Sequence, residues 1–258
     1  MASGLTRRTA AGLVAGFAAA GLTGQAPPAR SRFAEAGVTG TFALARGPNG
    51  SVVTVEPERA ARRYVPASTF KIANALIALE TAVVKDVDEV IPYGGQPQPV
   101  KAWEADASIR QAMPISAVPI FQELARRIGL TRYAQWLARL DYGNRETGAV
   151  VDRFWLDGPL AISAVEQARF LHRLGTDALP VSTRSREMVR DVLRVEASGG
   201  AILFGKTGWA QKIGWFAGWV ERGPDTSSFA LNIDMPRIDM APLRLDIAKA
   251  LLKDYGVY

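Results

Sequence analysis

The chain has no cysteine and a single histidine, His172, among 258 residues. Without cysteine there are no disulfides, no thiol nucleophile, no thiol redox chemistry and no cysteine–zinc site. With one histidine there is no multi-histidine metal centre, and no metal site is expected. A Ser-His-Asp triad would have to use His172. That residue lies in the helical pattern Gln167-Ala168-Arg169-Phe170-Leu171-His172-Arg173, where a solvated helix position is expected. A serine enzyme built on this chain therefore needs another base. No apolar run is long enough to span a bilayer comfortably. No low-complexity tract or internal repeat is present.

The remaining composition is ordinary, 48% hydrophobic and 22% charged, enough for one large core or two lobes sharing one. The net charge is +6. Lysine and arginine are scattered, so no nucleic-acid partner is expected. A mild basic bias suits a carboxylate-bearing substrate. Residues 1–26 read as a signal peptide. Arg7 and Arg8 form the positive start, Ala10 to Leu22 the uncharged apolar run, and Gly24-Gln25-Ala26 the small-residue cleavage site. Thr6-Arg7-Arg8 also allows a twin-arginine leader. The expectation is a periplasmic or secreted protein, not membrane-inserted once the leader is cleaved, and a monomer or homodimer. Residues 27–258 form its single domain.

Gly40 to Val65 carries strand signals. Thr41-Phe42-Ala43-Leu44 and Ser51-Val52-Val53-Thr54-Val55 flank the turn Gly47-Pro48-Asn49-Gly50. Ile72, Ala75, Leu76 and Leu79 then fall on one helical face. Helical patterns continue to about Ser198, clearest over Ile115 to Ile128, Tyr133 to Leu140 and Ser163 to Leu174. A loop rich in Gly, Asp and Asn runs from Asp141 to Pro159. After Gly199-Gly200 strands return over Ala201 to Phe204, Ile213 to Val220 and Ser228 to Met235. Pro242 opens a last helix with Leu243, Ile247, Ala250 and Leu251 on one face. Strands at both ends with helices between predict an α+β fold. Its antiparallel sheet is packed with helices and carries an inserted helical subdomain of about 68–198.

Pro66-Ala67-Ser68-Thr69-Phe70-Lys71 opens the first helix of that block. Ser68 and Lys71, three apart, share a face. The free N–H groups of a helix start favour developing negative charge. Ser-x-x-Lys alone is common, and Ser is a routine helix cap. Downstream, Lys206-Thr207-Gly208 puts a lysine and a hydroxyl on a strand edge, with a glycine that lets a ligand approach the backbone. Ser-x-x-Lys followed by Lys-Thr-Gly is the pairing of serine β-lactamases and penicillin-binding proteins.

Between them stand Ser116-Ala117-Val118, Tyr142-Gly143-Asn144 and Phe154-Trp155-Leu156-Asp157-Gly158-Pro159-Leu160. With Gly214-Trp215-Phe216-Ala217-Gly218-Trp219 after them, the chain from about Arg63 to Met235 resembles the class D, oxacillinase-type β-lactamases. The resemblance implies a penicillin-hydrolysing enzyme that needs no cofactor beyond carbon dioxide or bicarbonate. Ser68 is then the nucleophile. Lys71, neutral in an apolar set with Val118, Trp155 and Leu160, adds carbon dioxide to become N6-carboxylysine and serves as base, held by the Trp155 indole. Ser116 and Lys206 pass a proton to the leaving nitrogen. The backbone N–H groups of Ser68 and Trp209 form an oxyanion hole, and Thr207, Lys206 and Arg244 hold the substrate carboxylate. Arg244 also suits a solvated helix position. Tyr142-Gly143-Asn144 is expected to shape its loop.

Two departures stand out. The stretch Trp209 to Ile213 is short, and Phe121 replaces a frequent tyrosine. The alternative is a penicillin-sensing domain that is acylated without turnover. A cell-wall peptidase and a plain binding protein are further readings, set against by Val118 with Trp155 and by the motif density.

Overall fold

The computed structural model describes residue 1 and residues 28–258. The expected leader, apart from Met1, lies outside the described residues. Helix α1 (Pro28–Glu35) leads into strands β1 (Gly40–Arg46) and β2 (Ser51–Val55), then α2 (Pro57–Ala61). A 3-10 turn (Ala67–Phe70) runs directly into α3 (Lys71–Glu80). Helices α4 (Ile109–Ile115), α5 (Val118–Ile128), α6 (Leu130–Leu140), α7 (Ala164–Gly175) and α8 (Thr183–Val192) follow. Strands β3 (Arg194–Ser198), β4 (Ala201–Ala210), β5 (Ile213–Arg222) and β6 (Asp225–Asp234) complete the sheet before α9 (Leu243–Asp254).

The sheet has six strands in the order β2-β1-β6-β5-β4-β3. Every pair is antiparallel. The expected hairpin is present, with Arg46 opposite Ser51 across the turn. The first and last strands in sequence lie side by side within the sheet, Gly40 pairing with Ile233.

The two-residue period of a strand sorts the side chains into two cores. Ala43, Ala45, Phe204, Trp215, Ala217, Trp219 and Ala230 face the helical block. Phe42, Leu44, Leu203, Phe216, Val220, Phe229 and Leu231 face the other way, toward Ile247, Ala248, Leu251 and Leu252 of α9. Both faces of the sheet are thus covered. Helix α9 seats Ala248 and Leu252 in its core; Ala250 is only half-buried. Each large side chain so buried contributes roughly 1.5–3 kcal/mol.

Three local expectations are corrected. The helix expected over Ile115 to Ile128 breaks at Ser116. Ser116 caps α4 in the left-handed region at φ 59°. The N–H of Ala117 reaches the Ala112 carbonyl at 3.0 Å, closing a Schellman-type turn. Glycine is the usual residue there, so a serine hides the signal; the Pro119 that follows was the readable one. Arg194–Ser198, expected at the tail of the helices, is instead an edge strand. It is largely exposed and so lacks apolar alternation. His172 is buried, at 5% exposure, rather than solvated. Its flanking Arg169 and Arg173 mask the inward face on which it sits.

Candidate active site

The Ser68–Lys71 pair forms because the turn carrying it is 3-10 rather than α-helical. At about three residues per turn, positions i and i+3 eclipse. Lys71 Nζ lies 2.7 Å from Ser68 Oγ and donates to it. Lys71 is fully buried, and Ser68 is 8% exposed. Burial pushes the Lys71 pKa well below the usual lysine range, and the nearby positive charge of Lys206 adds to the shift. The Phe121 ring centroid is 5.2 Å from Nζ.

Two hydrogen bonds brace the turn. Thr69 Oγ1 donates to the Pro66 carbonyl at 2.7 Å. The Trp215 indole donates to the Val65 carbonyl at 3.0 Å. Ala67, at φ 51°, sits in the left-handed region, a strained position for alanine just before Ser68.

Trp155 is fully buried and stacks on Phe70, with ring centroids 5.4 Å apart. Its indole Nε1 has no hydrogen-bond partner among the described residues. An unmet buried N–H costs about 1–3 kcal/mol. Leu160 is fully buried in the same core. Val118, expected in that apolar set, is instead half-buried at the first residue of α5 and outside that core.

The loop bearing Trp155 is held by Tyr142-Gly143-Asn144. Asn144 Oδ1 accepts from the Ala161 amide at 3.0 Å, and its Nδ2 donates to the Pro159 carbonyl at 2.8 Å. The Tyr142 hydroxyl donates to Gln167 at 3.2 Å. A Cβ on Gly143 would lie 2.2 Å from the Ala161 carbonyl, so only glycine fits.

Strand β4 supplies the opposite wall. β3 pairs only with its first half, ending at Phe204. From Lys206 onward the outer edge has no strand partner among the described residues. Gly208 passes so close to the turn that an added Cβ would stand 3.1 Å from the Ser68 amide nitrogen. Lys206 is 4% exposed and donates to the Thr207 carbonyl at 3.1 Å. Burial, aided by Arg244, lowers its pKa to about 7. Thr207 is half-buried beside it. The Trp209 indole is 40% exposed and donates to the Met235 carbonyl at 2.8 Å. Arg244, which also suited a solvated position, is half-buried and donates to the Gly208 carbonyl at 2.9 Å.

Ser116 is half-buried, and its side chain makes no hydrogen bond among the described residues. Met113 and Pro114, just before it, share the walls of a cavity of about 280 Å³ with Lys206 and Thr207.

One supporting network had escaped the sequence. Asn74 Nδ2 donates to the Phe121 carbonyl at 3.1 Å, and the Tyr133 hydroxyl donates to Asn74 Oδ1 at 3.0 Å. All three residues are buried, so the network fixes α5, and with it the Phe121 ring, relative to α3. Its only trace in the sequence is a lone asparagine inside the apolar run of α3.

Residues 41–254 match the family described as the penicillin binding protein transpeptidase domain. The β-lactamase OXA-48 of Klebsiella pneumoniae is 44% identical over 200 residues, 76% of each chain. OXA-5 of Pseudomonas aeruginosa is 38% identical over 232 residues, 87% of each chain. The chain belongs to the class D β-lactamases. Among solved structures, FUS-1 (OXA-85), a class D β-lactamase from Fusobacterium nucleatum subsp. polymorphum, superimposes with a TM-score of 0.85 at 39% identity. The match covers 89% of this chain and 97% of that one. The antiparallel sheet with its helices is the class D fold.

Proposed function

We propose that this class D chain hydrolyses the β-lactam amide of penicillin-type antibiotics through an acyl-enzyme on Ser68, with Lys71 carboxylated on Nζ as general base. One observation carries the reading. A fully buried lysine touches the Ser68 hydroxyl, and the fully buried indole N–H of Trp155 lacks a partner among the described residues. Burial keeps the amine neutral, the form that adds carbon dioxide, and the unmet N–H suits a carbamate oxygen. In place, the carbamate supplies an anionic base in a site without a catalytic histidine.

The remaining roles belong to the chain's own groups. Ser68 Oγ gives up its proton and attacks the lactam carbonyl. The amides of Ser68 and Trp209, where β4 crosses the turn, receive the oxyanion. Lys206, with a pKa near 7, and Ser116 return a proton to the leaving nitrogen. Thr207, Lys206 and Arg244 hold the substrate carboxylate. Leu160 contributes to the apolar packing around the Trp155 loop. We also propose export through a leader at residues 1–26, action in the periplasm or outside the cell, and a role in antibiotic resistance. No metal or other cofactor enters this scheme, and the domain works as a monomer or homodimer.

The test is stopped-flow and steady-state hydrolysis of a penicillin with and without bicarbonate, alongside ¹³C NMR with labelled bicarbonate. Turnover that rises with bicarbonate, with a carbamate resonance lost in Lys71→Ala, supports the reading. A stoichiometric burst without turnover would make the protein a penicillin sensor instead.

A further inference from the structure

A cavity of about 420 Å³ opens between the β1–β2 turn, α7 and the loop after α6. None of the residues assigned above to the β-lactam reaction lines it. Four guanidiniums, of Arg63, Arg145, Arg169 and Arg173, face it against two carboxylates, of Asp141 and Glu166. The acids do not cancel the bases. Glu166 is engaged by Arg63 through a two-pronged contact with Nε at 3.0 Å and Nη2 at 2.5 Å. That leaves Asp141 to balance three arginines. It lies 3.5 Å from Arg145, a loose pair on the surface.

Arg173 spends one N–H on the Leu140 carbonyl, and burial lowers its pKa, with Asp141 opposing the shift. Arg169 makes no hydrogen bond or ion pair among the described residues. His172, 5% exposed, lines the same cavity, with its ring packed against Gly50 of the β1–β2 turn.

We infer that this cavity is a binding site for a phosphate group, free or as a monoester. A tetrahedral dianion offers several oxygens to converging guanidinium forks, which a single carboxylate does not. It also matches the surplus of two positive charges. The site is built into the scaffold of the reaction: Gly143 and Arg145 line it on either side of Asn144, which grips Pro159 and Ala161. A bound phosphate braces the clamp that carries the Trp155 loop.

The single histidine provides the test. In full-length protein without a histidine tag, ¹⁵N-histidine labelling gives one imidazole on the cavity wall. Inorganic phosphate is titrated at fixed pH and ionic strength, with sodium chloride as the balancing salt. Saturable movement of the His172 resonances is expected, with binding about ten-fold weaker in Arg169→Gln and weaker again with Arg145→Gln added. Both side chains are exposed, so the variants should keep the wild-type melting temperature in phosphate-free buffer. Glycerol 3-phosphate is the second probe: tighter binding assigns the site to monoesters, equal binding to the free ion. No resonance movement, movement that does not saturate, or equal affinity in the double variant would overturn the assignment.

Discussion

The Ala67 amide donates to the Trp155 carbonyl at 2.9 Å. The strained residue before Ser68 is thereby bonded to the residue whose buried indole N–H has no partner among the described residues. Tyr64 and Ile162 extend the join with a reciprocal pair of backbone bonds at 3.0 and 2.9 Å. The Ser68 turn and the Trp155 loop are consequently joined as one unit from two segments far apart in sequence.

Trp155→Phe isolates the indole N–H. A phenyl ring preserves the stacking on Phe70 but donates nothing. Acylation should survive in pre-steady-state bursts, while turnover falls by about ten-fold or more and recovers in part at high bicarbonate. Wild-type turnover in bicarbonate-free buffer would remove the indole from the mechanism.

Gly208→Ala places a Cβ where β4 crosses the turn, 3.1 Å from both the Ser68 nitrogen and the Pro66 carbonyl. The strand or the turn must give way. Overpacking of this kind costs about 1–3 kcal/mol. The larger loss should be in the acylation rate, read as kcat/KM, because the Ser68 and Trp209 amides proposed to receive the oxyanion would separate.

Tyr133→Phe removes the hydroxyl that meets Asn74 Oδ1 and leaves a buried acceptor unmet. Urea unfolding should show a loss of about 1–3 kcal/mol with an unchanged m-value. Asn74→Leu with Tyr133→Phe, which removes both polar partners, should lose less than the two single substitutions combined.

Lys206 makes stability depend on pH. Its folded pKa of about 7 lies below the ordinary 10.5, so between those values the unfolded chain binds more protons. Stability therefore rises with pH through that window, by up to about 1.4 kcal/mol per pH unit for this one group. Lys206→Met should flatten the rise measured by urea unfolding from pH 7 to 9 in bicarbonate-free buffer. Parallel wild-type and variant curves would mean that Lys206 is protonated in the fold.

The parts of the molecule that were legible in the sequence are those where local chemistry and long-range packing agree. The turn Gly47–Gly50, the Ser163 helix start and the Lys-Thr-Gly strand are of this kind. Ser163 even forms a full capping box with Glu166. What stayed hidden needed tertiary information. Ser116 takes a glycine's conformation because the chain must turn there. β3 is an edge strand, so its composition is that of a surface. His172 and Asn74 are polar residues in buried positions, and a helical pattern read from apolar spacing alone passes over both. At the site, residue types and order were readable. The 3-10 turn that sets Ser68 against Lys71 was not, because it differs from an α-helix by only a fraction of a residue per turn.

The pairing of β1 with β6 has a consequence for how the protein comes into being. Gly40 finds its sheet neighbour at Ile233, so the sheet joins strands from near the two ends of the described chain. A ribosome that has released only the first three-quarters of the polypeptide has made Ser68, Lys71 and Trp155 but neither of the sheet's two central strands, β6 and β5. Long-range closure of this sort is slow and leaves apolar strands uncovered while it waits. Until β6 emerges, β1 has only its hairpin partner β2, and a newly made chain stays dependent on whatever shields it from its neighbours.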